Sequence, residues 1–357
     1  MHTLTASMDL EEKIATLENG TEEIVTPDEL RTLLETKDCP RAYIGLEPSG
    51  LMHIGQGIPI AEKLIDFTNV CFDVRVLLAD WHAFINDKLE GDLENIYTCG
   101  LYVKDALVSL GVDESKVKFI FASELVNDKS YWEKVLRISK AATVARIKRA
   151  MSIMGRSEEE ADLDASKMIY PAMQVADIVQ MDLDVAYGGM DQRHAHMLLR
   201  DIAPKLGWNK IVAIHTPLLP SLQGGGRMDA AELKMSKSKP ETCVFLHDTP
   251  DEIENKINKA FCPEKDVVGN PVLETVRIIV FRKRDEFKVE RPEKYGGDVV
   301  YSSYGELRSA YSSGELHPAD LKSATSKCLA EILEPSRKYF EAHPENREKI
   351  AGILGFG

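Results

Sequence analysis

Apolar residues recur along this chain at two alternating spacings. Short runs in which nearly every or every second residue is apolar fall at Ala42 to Gly45, Asp73 to Leu78 and Val117 to Phe121. Between and after them lie longer stretches with an apolar residue every three or four positions, at 53–67, 93–111 and 130–154. The first set predicts strands and the second predicts helices. After the acidic break Glu158-Glu159-Glu160 the alternation resumes, with a helix at 166–180, a short strand Asp184-Val185-Ala186, a helix at 190–206 and a strand from Ile211 to Ile214. Strands alternating with helices predict a parallel sheet covered by helices, and such sheets take ligands beyond the carboxyl ends of their strands. From about residue 248 the pattern becomes wholly helical, with candidates near 250–260, 271–281, 303–313, 318–333 and 335–352. Residues 1–38 read as one or two short polar helices, Pro27-Asp28-Glu29 being a good helix start.

Composition narrows the class. The chain has 357 residues, 44% hydrophobic and 29% charged, enough for a sizeable core and two domains with an appendage. No run approaches the roughly 18 apolar residues of a membrane span, and Met1 to Gly20 lacks the basic-then-apolar order of a secretory signal. A cytoplasmic protein is expected. Lys plus Arg number 44 against 58 Asp plus Glu, a net charge of −14, which argues against a general nucleic-acid coat. Any RNA contact must be local, and the cationic face of the predicted helix from Lys134 to Arg149 is a candidate, although such a face suits plain solvation equally well. The six cysteines, Cys39, Cys71, Cys99, Cys243, Cys262 and Cys328, show no C-x-x-C spacing. Reduced thiols are therefore expected, with neither a zinc knuckle nor a disulfide framework.

Two segments carry phosphate-binding chemistry. Lys234-Met235-Ser236-Lys237-Ser238 follows the flexible Gly224-Gly225-Gly226 run and offers two cations and two hydroxyls. Lysine is a mobile point charge suited to phosphate. Alone, the segment fits a solvated surface loop at least as well. The second, Pro48-Ser49-Gly50-Leu51-Met52-His53-Ile54-Gly55-Gln56, follows the first predicted strand and opens a helix. Helix N-termini attract anions; His53 can donate to a phosphate, and Gly55 has no side chain to obstruct a base or ribose. An ordinary strand-turn-helix corner remains the alternative. A third constellation lies on the predicted helix 166–180, where Tyr170, Gln174 and Asp177 stand at i, i+4 and i+7 on one face. A phenol, an amide and a carboxylate so aligned can converge on one ligand, with Tyr43 supplying another hydroxyl. Half-buried core tyrosines with Gln174 and Asp177 facing water is the alternative.

Taken together, His53-Ile54-Gly55-Gln56 and Lys234-Met235-Ser236-Lys237-Ser238, roughly 180 residues apart, resemble the two ATP-binding signatures of class I aminoacyl-tRNA synthetases. The runs Tyr43-Ile44-Gly45-Leu46-Glu47-Pro48-Ser49-Gly50, Tyr170-Pro171-x-x-Gln174-x-x-Asp177 and Gly188-Gly189-Met190-Asp191-Gln192-Arg193 resemble tyrosyl-tRNA synthetases of the archaeal and eukaryotic type. The likeness covers nearly the whole chain from about residue 30.

This resemblance implies an α/β fold: a Rossmann-like parallel-sheet catalytic domain over 39–245, with a dimer and acceptor-stem insertion at about 115–165, and a C-terminal all-helical anticodon-binding domain over 246–357. Residues 1–38 would form an N-terminal helical extension. It implies tyrosine contacts at Tyr43, Tyr170, Gln174, Asp177 and Gln192. ATP contacts would be His53, Gly55, Gln56, Lys234, Met235, Ser236, Lys237 and Ser238, with Lys234, Lys237 and His53 catalytic. Gln56 stands where the family often has a second histidine, and an amide cannot be cationic there. The tRNA contacts implied are Arg149, Arg193, Tyr295, His317 and Asp320. ATP would enter as a substrate with Mg²⁺, no protein-held metal is expected, and the partners would be L-tyrosine, tRNA(Tyr) and a second copy of the chain, with no membrane.

Overall fold

The structure is a computed structural model that describes residues 8–154, 164–224, 235 and 240–355. The chain forms two compact units. The first comprises Met1–Ser49, Lys63–Lys104 and Val112–Pro217, and the second Gly50–Glu62, Asp105–Gly111 and Leu218–Gly357.

The first unit is built on a six-stranded sheet in the order β1-β6-β5-β2-β3-β4. Its strands are β1 (Glu23–Val25), β2 (Arg41–Leu46), β3 (Asp73–Leu78), β4 (Val117–Phe121), β5 (Val185–Gly189) and β6 (Val212–Thr216). All neighbouring pairs are parallel except β1, which runs antiparallel to β6 with Glu23 opposite His215. Every residue of β6 is buried, as are Val185 to Gly188 of β5, which explains their continuous apolar character: a parallel strand covered on both faces has no polar side. From β2 the chain continues to β3 and β4 on one side, then to β5 and β6 on the other. The β2–β5 pair, with Tyr43 opposite Ala186, is therefore the topological switch where ligands of such sheets bind.

The helices of this unit are α1 (Leu10–Glu18), α2 (Pro27–Thr36), the latter part of α3 (Ile54–Asn69), α4 (Asp80–Ile85), most of α5 (Leu93–Ser109), α6 (Ala122–Val126), α7 (Lys129–Ala141), α8 (Val144–Ala150), α9 (Tyr170–Gln180) and α10 (Arg193–Leu206). Residues 8–38 are not a detached helical extension. Between α1 and α2 they contribute β1, at three residues too short to register as a strand by spacing, and its ladder to β6 ties the segment to the sheet. A fully buried Lys63 reinforces this, its Nζ donating to the carbonyls of Leu17 (2.9 Å) and Asn19 (2.7 Å) at the end of α1 and lying 3.0 Å from Asp66. The single helix expected over 130–154 is also interrupted. Ala142 is extended (φ −100°, ψ 148°) and the Thr143 hydroxyl caps α8 by accepting from Arg146 N.

The second unit is mainly helical: α11 (Pro250–Lys259), α12 (Pro271–Thr275) running through a π-helical turn Val276–Val280 into α13 (Phe281–Lys283), α14 (Tyr304–Ser313), α15 (Pro318–Ile332), α16 (Glu334–Ala342) and α17 (Glu345–Ile353). One feature departs from the all-helical expectation, an antiparallel ribbon of β7 (Phe287–Val289) and β8 (Val299–Tyr301). Arg291 closes its loop by donating to Gly297 O (2.7 Å) and Glu315 O (2.8 Å). Strands of three residues carry no readable period. The boundary expected at 245/246 also moves, because the stretch around Met52 to Ile54 pairs with Val244 to Leu246 and so belongs with the second unit. No described helix is long and apolar enough to cross a membrane.

Candidate active site

In the first unit the polar face of α9 is buried. Tyr170 through Ile178 are all buried, Asp177 to 1% exposure and Gln174 to 9%, so these side chains do not face water. A buried carboxylate needs partners. Asp177 Oδ1 accepts from the Tyr131 hydroxyl of α7 at 2.8 Å, and His82 Nε2 of α4 lies 3.0 Å from Oδ2, off the line of a well-directed hydrogen bond. Burial is the largest single influence on the His82 imidazolium and disfavours it, but the Asp177 charge and contact together with the charges of Glu47 and Asp80 outweigh it, and the pKa is raised. The Tyr43 phenol on β2 is buried as well, and burial, then the Asp177 charge, pushes its pKa up. Tyr131 is shifted in the same direction by the same two causes. Asp177 thus sits among protonated phenols, an acceptor surrounded by donors.

The other end of this face is organised by a second carboxylate. Glu47, just beyond β2, accepts from the Tyr170 hydroxyl and from Asn86 Nδ2 at 3.2 and 3.1 Å, and Lys88 Nζ stands 3.9 Å away. Burial and then the Glu47 charge keep Tyr170 protonated. Gln174 Nε2 donates to Gln192 Oε1 at 3.0 Å. Gln174 Oε1 is buried with no hydrogen-bond partner among the described residues, an open acceptor of the kind an ammonium would fill. Gln192 ends the 3-10 turn that follows β5, and a Cβ on Gly188 would fall 2.9 Å from its Cβ, so glycine is what lets the turn close onto the strand. Tyr43, Tyr170, Gln174, Asp177 and Gln192 are therefore carried by three elements, β2, α9 and the turn after β5. Glu47, His82, Asn86 and Tyr131 were not foreseen. Only Glu47, inside a quoted motif, carried any sequence signal.

In the second unit, His53 is buried and bridges backbone to backbone with Phe245, flanked by Ile54 N to Val244 O (2.9 Å) and Leu246 N to Met52 O (3.1 Å). The His53 carbonyl accepts from Gln56 N and Gly57 N, starting α3. Gly55 is demanded by the protein itself rather than only by a ligand: a Cβ there would lie 2.8 Å from Leu219 Cβ. Leu219 O in turn accepts from Met235 N at 2.8 Å, and Met235 is buried. Leu219, unnoticed in the sequence, thus links both signatures. Gln56 Oε1 is buried without a partner among the described residues. Lys234, Ser236, Lys237 and Ser238 lie outside the described residues.

The family model for class I tRNA synthetases of the tryptophan and tyrosine type matches residues 35–334. The chain belongs to this family. The "Tyrosine--tRNA ligase" of Sulfurisphaera tokodaii is 53% identical over 347 residues, covering 95% of either chain. The crystal structure of tyrosyl-tRNA synthetase from Aeropyrum pernix is 47% identical, with a TM-score of 0.87 and coverage of 98% of this chain and 100% of that one. The tyrosyl-tRNA synthetase of Pyrococcus horikoshii complexed with L-tyrosine is 42% identical, TM-score 0.90, covering 97% and 100%. Plasmodium falciparum tryptophanyl-tRNA synthetase, at 20% identity and TM-score 0.68, shares the fold.

The expected RNA contacts of this synthetase fall into different settings. Arg149 is exposed on α8. Tyr295 is 62% exposed, with Lys294 Nζ 4.7 Å above its ring. His317 caps α15, its Nδ1 accepting from Ala319 N at 3.2 Å, and Asp320 occupies the first turn, so the plain helix-start geometry is present at that site. Arg193 is not poised toward solvent as a free cation. Its guanidinium forms a two-pronged pair with Glu23, at 2.7 and 3.0 Å, because β1 brings that carboxylate to the start of α10.

Proposed function

We propose that the chain is a tyrosine–tRNA ligase. It joins the carboxylate of L-tyrosine to the α-phosphorus of ATP, releasing pyrophosphate and forming tyrosyl-adenylate, and then passes the tyrosyl group to the terminal ribose hydroxyl of tRNA(Tyr) with release of AMP. The observation that carries this reading is Asp177: a buried acceptor held by Tyr131 and flanked by His82, on the same helical face as Tyr170 and Gln174. A ligand phenol can donate to it, and a phenylalanine ring cannot. At the opposite end Tyr170, Gln174 and Gln192 offer neutral contacts to the α-ammonium, with Glu47 as the nearby counter-charge.

No covalent enzyme intermediate is needed, and catalysis is positioning plus charge stabilisation. ATP is taken as its magnesium complex. His53, Gly55, Gln56 and Met235 hold it together with Lys234, Ser236, Lys237 and Ser238, the two lysines and His53 acting on the pyrophosphate as its charge develops. The family signatures and the Leu219 link between them support these roles. Arg149 and Arg193 lie toward the acceptor end of the tRNA, while Tyr295, His317 and Asp320 read the anticodon; the exposed Tyr295 ring suits stacking on a base. Domain roles follow: the sheet-bearing first unit, residues 1–38 included, serves the amino-acid chemistry, and the mainly helical part of the second unit, within 246–357, serves the anticodon. The chain pairs with a second copy through 115–165, where Trp132, Leu136 and Val144 are exposed apolar residues. It works in the cytoplasm, where tRNA is charged.

ATP–pyrophosphate exchange with tyrosine, tryptophan, phenylalanine and no amino acid tests the reading. Exchange dependent on tyrosine is expected, and equal exchange with tryptophan or without an amino acid would overturn it.

A further inference from the structure

Residues 8–34 precede the stretch that the family model matches, yet they supply two carboxylates that grip α10. Glu23 on β1 stands opposite His215 on β6 in the strand register. Its Oε2 accepts from Arg193 Nε at 2.7 Å and lies 3.0 Å from His215 Nδ1, while its Oε1 accepts from Arg193 Nη2 at 3.0 Å. His215 Nε2 is 3.0 Å from His196 Nδ1, the two rings being stacked. An ionised carboxylate only accepts, so the proton order follows: His215 donates through Nδ1 and receives at Nε2 from His196 Nδ1–H. The protonation states agree. The Arg193 hydrogen bonds hold the Glu23 carboxyl below its usual range, and burial, then the neighbouring His215, pushes His196 down to about 3.

Both ends of this relay land on the first turn of α10. Arg193 is the residue after Gln192, and His196 is the fourth residue of the helix. Gln192 packs against Gly188 and receives the Gln174 amide. We infer that Glu23 is a positioning residue for the amino-acid pocket: by holding Arg193 directly and His196 through His215, it sets the start of α10 and with it the Gln192 amide. The inference rests on the tyrosine-ligase reading. An internal control is built in, since Glu29 of the same segment forms a similar two-pronged pair with Arg200 (2.7 and 3.1 Å), two turns along α10 from Gln192.

The test is a double-mutant cycle on the full chain, read as KM and kcat in pyrophosphate exchange. Glu23→Ala is expected to raise KM for tyrosine about tenfold, with kcat and KM for ATP moving less than about twofold. Glu29→Ala should leave KM for tyrosine within about twofold. Glu23→Ala in a Gln192→Ala background should add nothing, because the group it positions is gone. If Glu23→Ala folds poorly, Glu23→Gln replaces it: the amide keeps one acceptor for Arg193 and a smaller rise in KM is expected. An unmoved tyrosine KM in a folded Glu23 variant, or single-mutant effects that multiply in the double mutant, overturns the inference alone. A wild type that shows no tyrosine-dependent exchange overturns the ligase reading as well.

Discussion

The proposed amino-acid pocket in the first unit and the proposed ATP signature in the second are built by different means. Around Asp177 and Glu47 the surroundings are assembled from side chains: Tyr131 of α7, His82 and Asn86 of α4 and its C-cap, and Tyr170 of α9 converge through hydrogen bonds and close contacts inside a buried face. Around His53 the work is done by backbone. A bridge to Phe245, the start of α3, and a glycine pressed against Leu219 leave little for side chains to decide. A pocket that must tell one amino acid from another needs placed donors and acceptors, and each unpaired one rejects the wrong ligand strongly. A segment that binds a phosphate chain needs N–H groups and close approach, which turns and small residues provide.

The sharpest way to break this contrast is to remove the acceptor. Asp177→Ala should abolish the preference for tyrosine over phenylalanine in pyrophosphate exchange. Tyrosyl synthetases are themselves the reference case for this discrimination, which reaches about 10⁵; selectivity unchanged in the variant would remove Asp177 from the role. Next in size is Gly55→Ala. The added methyl cannot fit 2.8 Å from Leu219 Cβ, and a displacement of the segment should lower ATP-dependent exchange by about 10²-fold while tyrosine binding, followed by equilibrium dialysis, stays put. Loss of tyrosine binding in that variant would mean that the two regions are not separable.

A smaller effect is expected from Tyr131→Phe, which deletes a single bond to Asp177 and should reduce the tyrosine-to-phenylalanine ratio about tenfold. The same ratio measured for His82→Leu ranks the two supports. The smallest effect is on stability against acid. His196 in the first unit and His247 in the second are held down, to about 3 and about 4, by burial first. The unfolded chain binds protons at these sites below its own pKa of about 6.5, so stability is full above that value and falls as pH drops toward the folded values. At pH 6 each site should favour opening by about fourfold, read by hydrogen exchange on each unit, and His196→Gln should flatten the response of β5 and β6 alone. An unchanged response in those strands would show that His196 is not the group titrating.

Much of the architecture was legible because it is local. The strands β2, β3, β4 and β6 lie within about two residues of their predicted positions and β5 runs about three residues further, since apolar spacing reports burial of one short segment at a time. Interruptions escaped for the same reason. The break at Thr143, the one at His343-Pro344 between α16 and α17, and the π-helical turn at Val276–Val280 sit inside patterns that keep a helical period across them. The Tyr170, Gln174, Asp177 face was readable from i, i+4, i+7 spacing. Its partners were not, because Glu47 is 123 residues from Tyr170 and Tyr131 is 46 from Asp177.

By itself, then, the chain's order of residues determined the alternation that makes a parallel sheet, the two ATP signatures and the polar face of α9, all of which depend on neighbours within a turn or a strand. Only tertiary structure decided that Asp177 is buried against Tyr131 and beside His82, that Leu219 joins the two signatures, and that Arg193 is claimed by Glu23 of an N-terminal strand. Those choices turn on which side chains meet across the sheet. A hydrogen bond is specified by distance and direction at the point of meeting, and neither is encoded in the spacing along the chain.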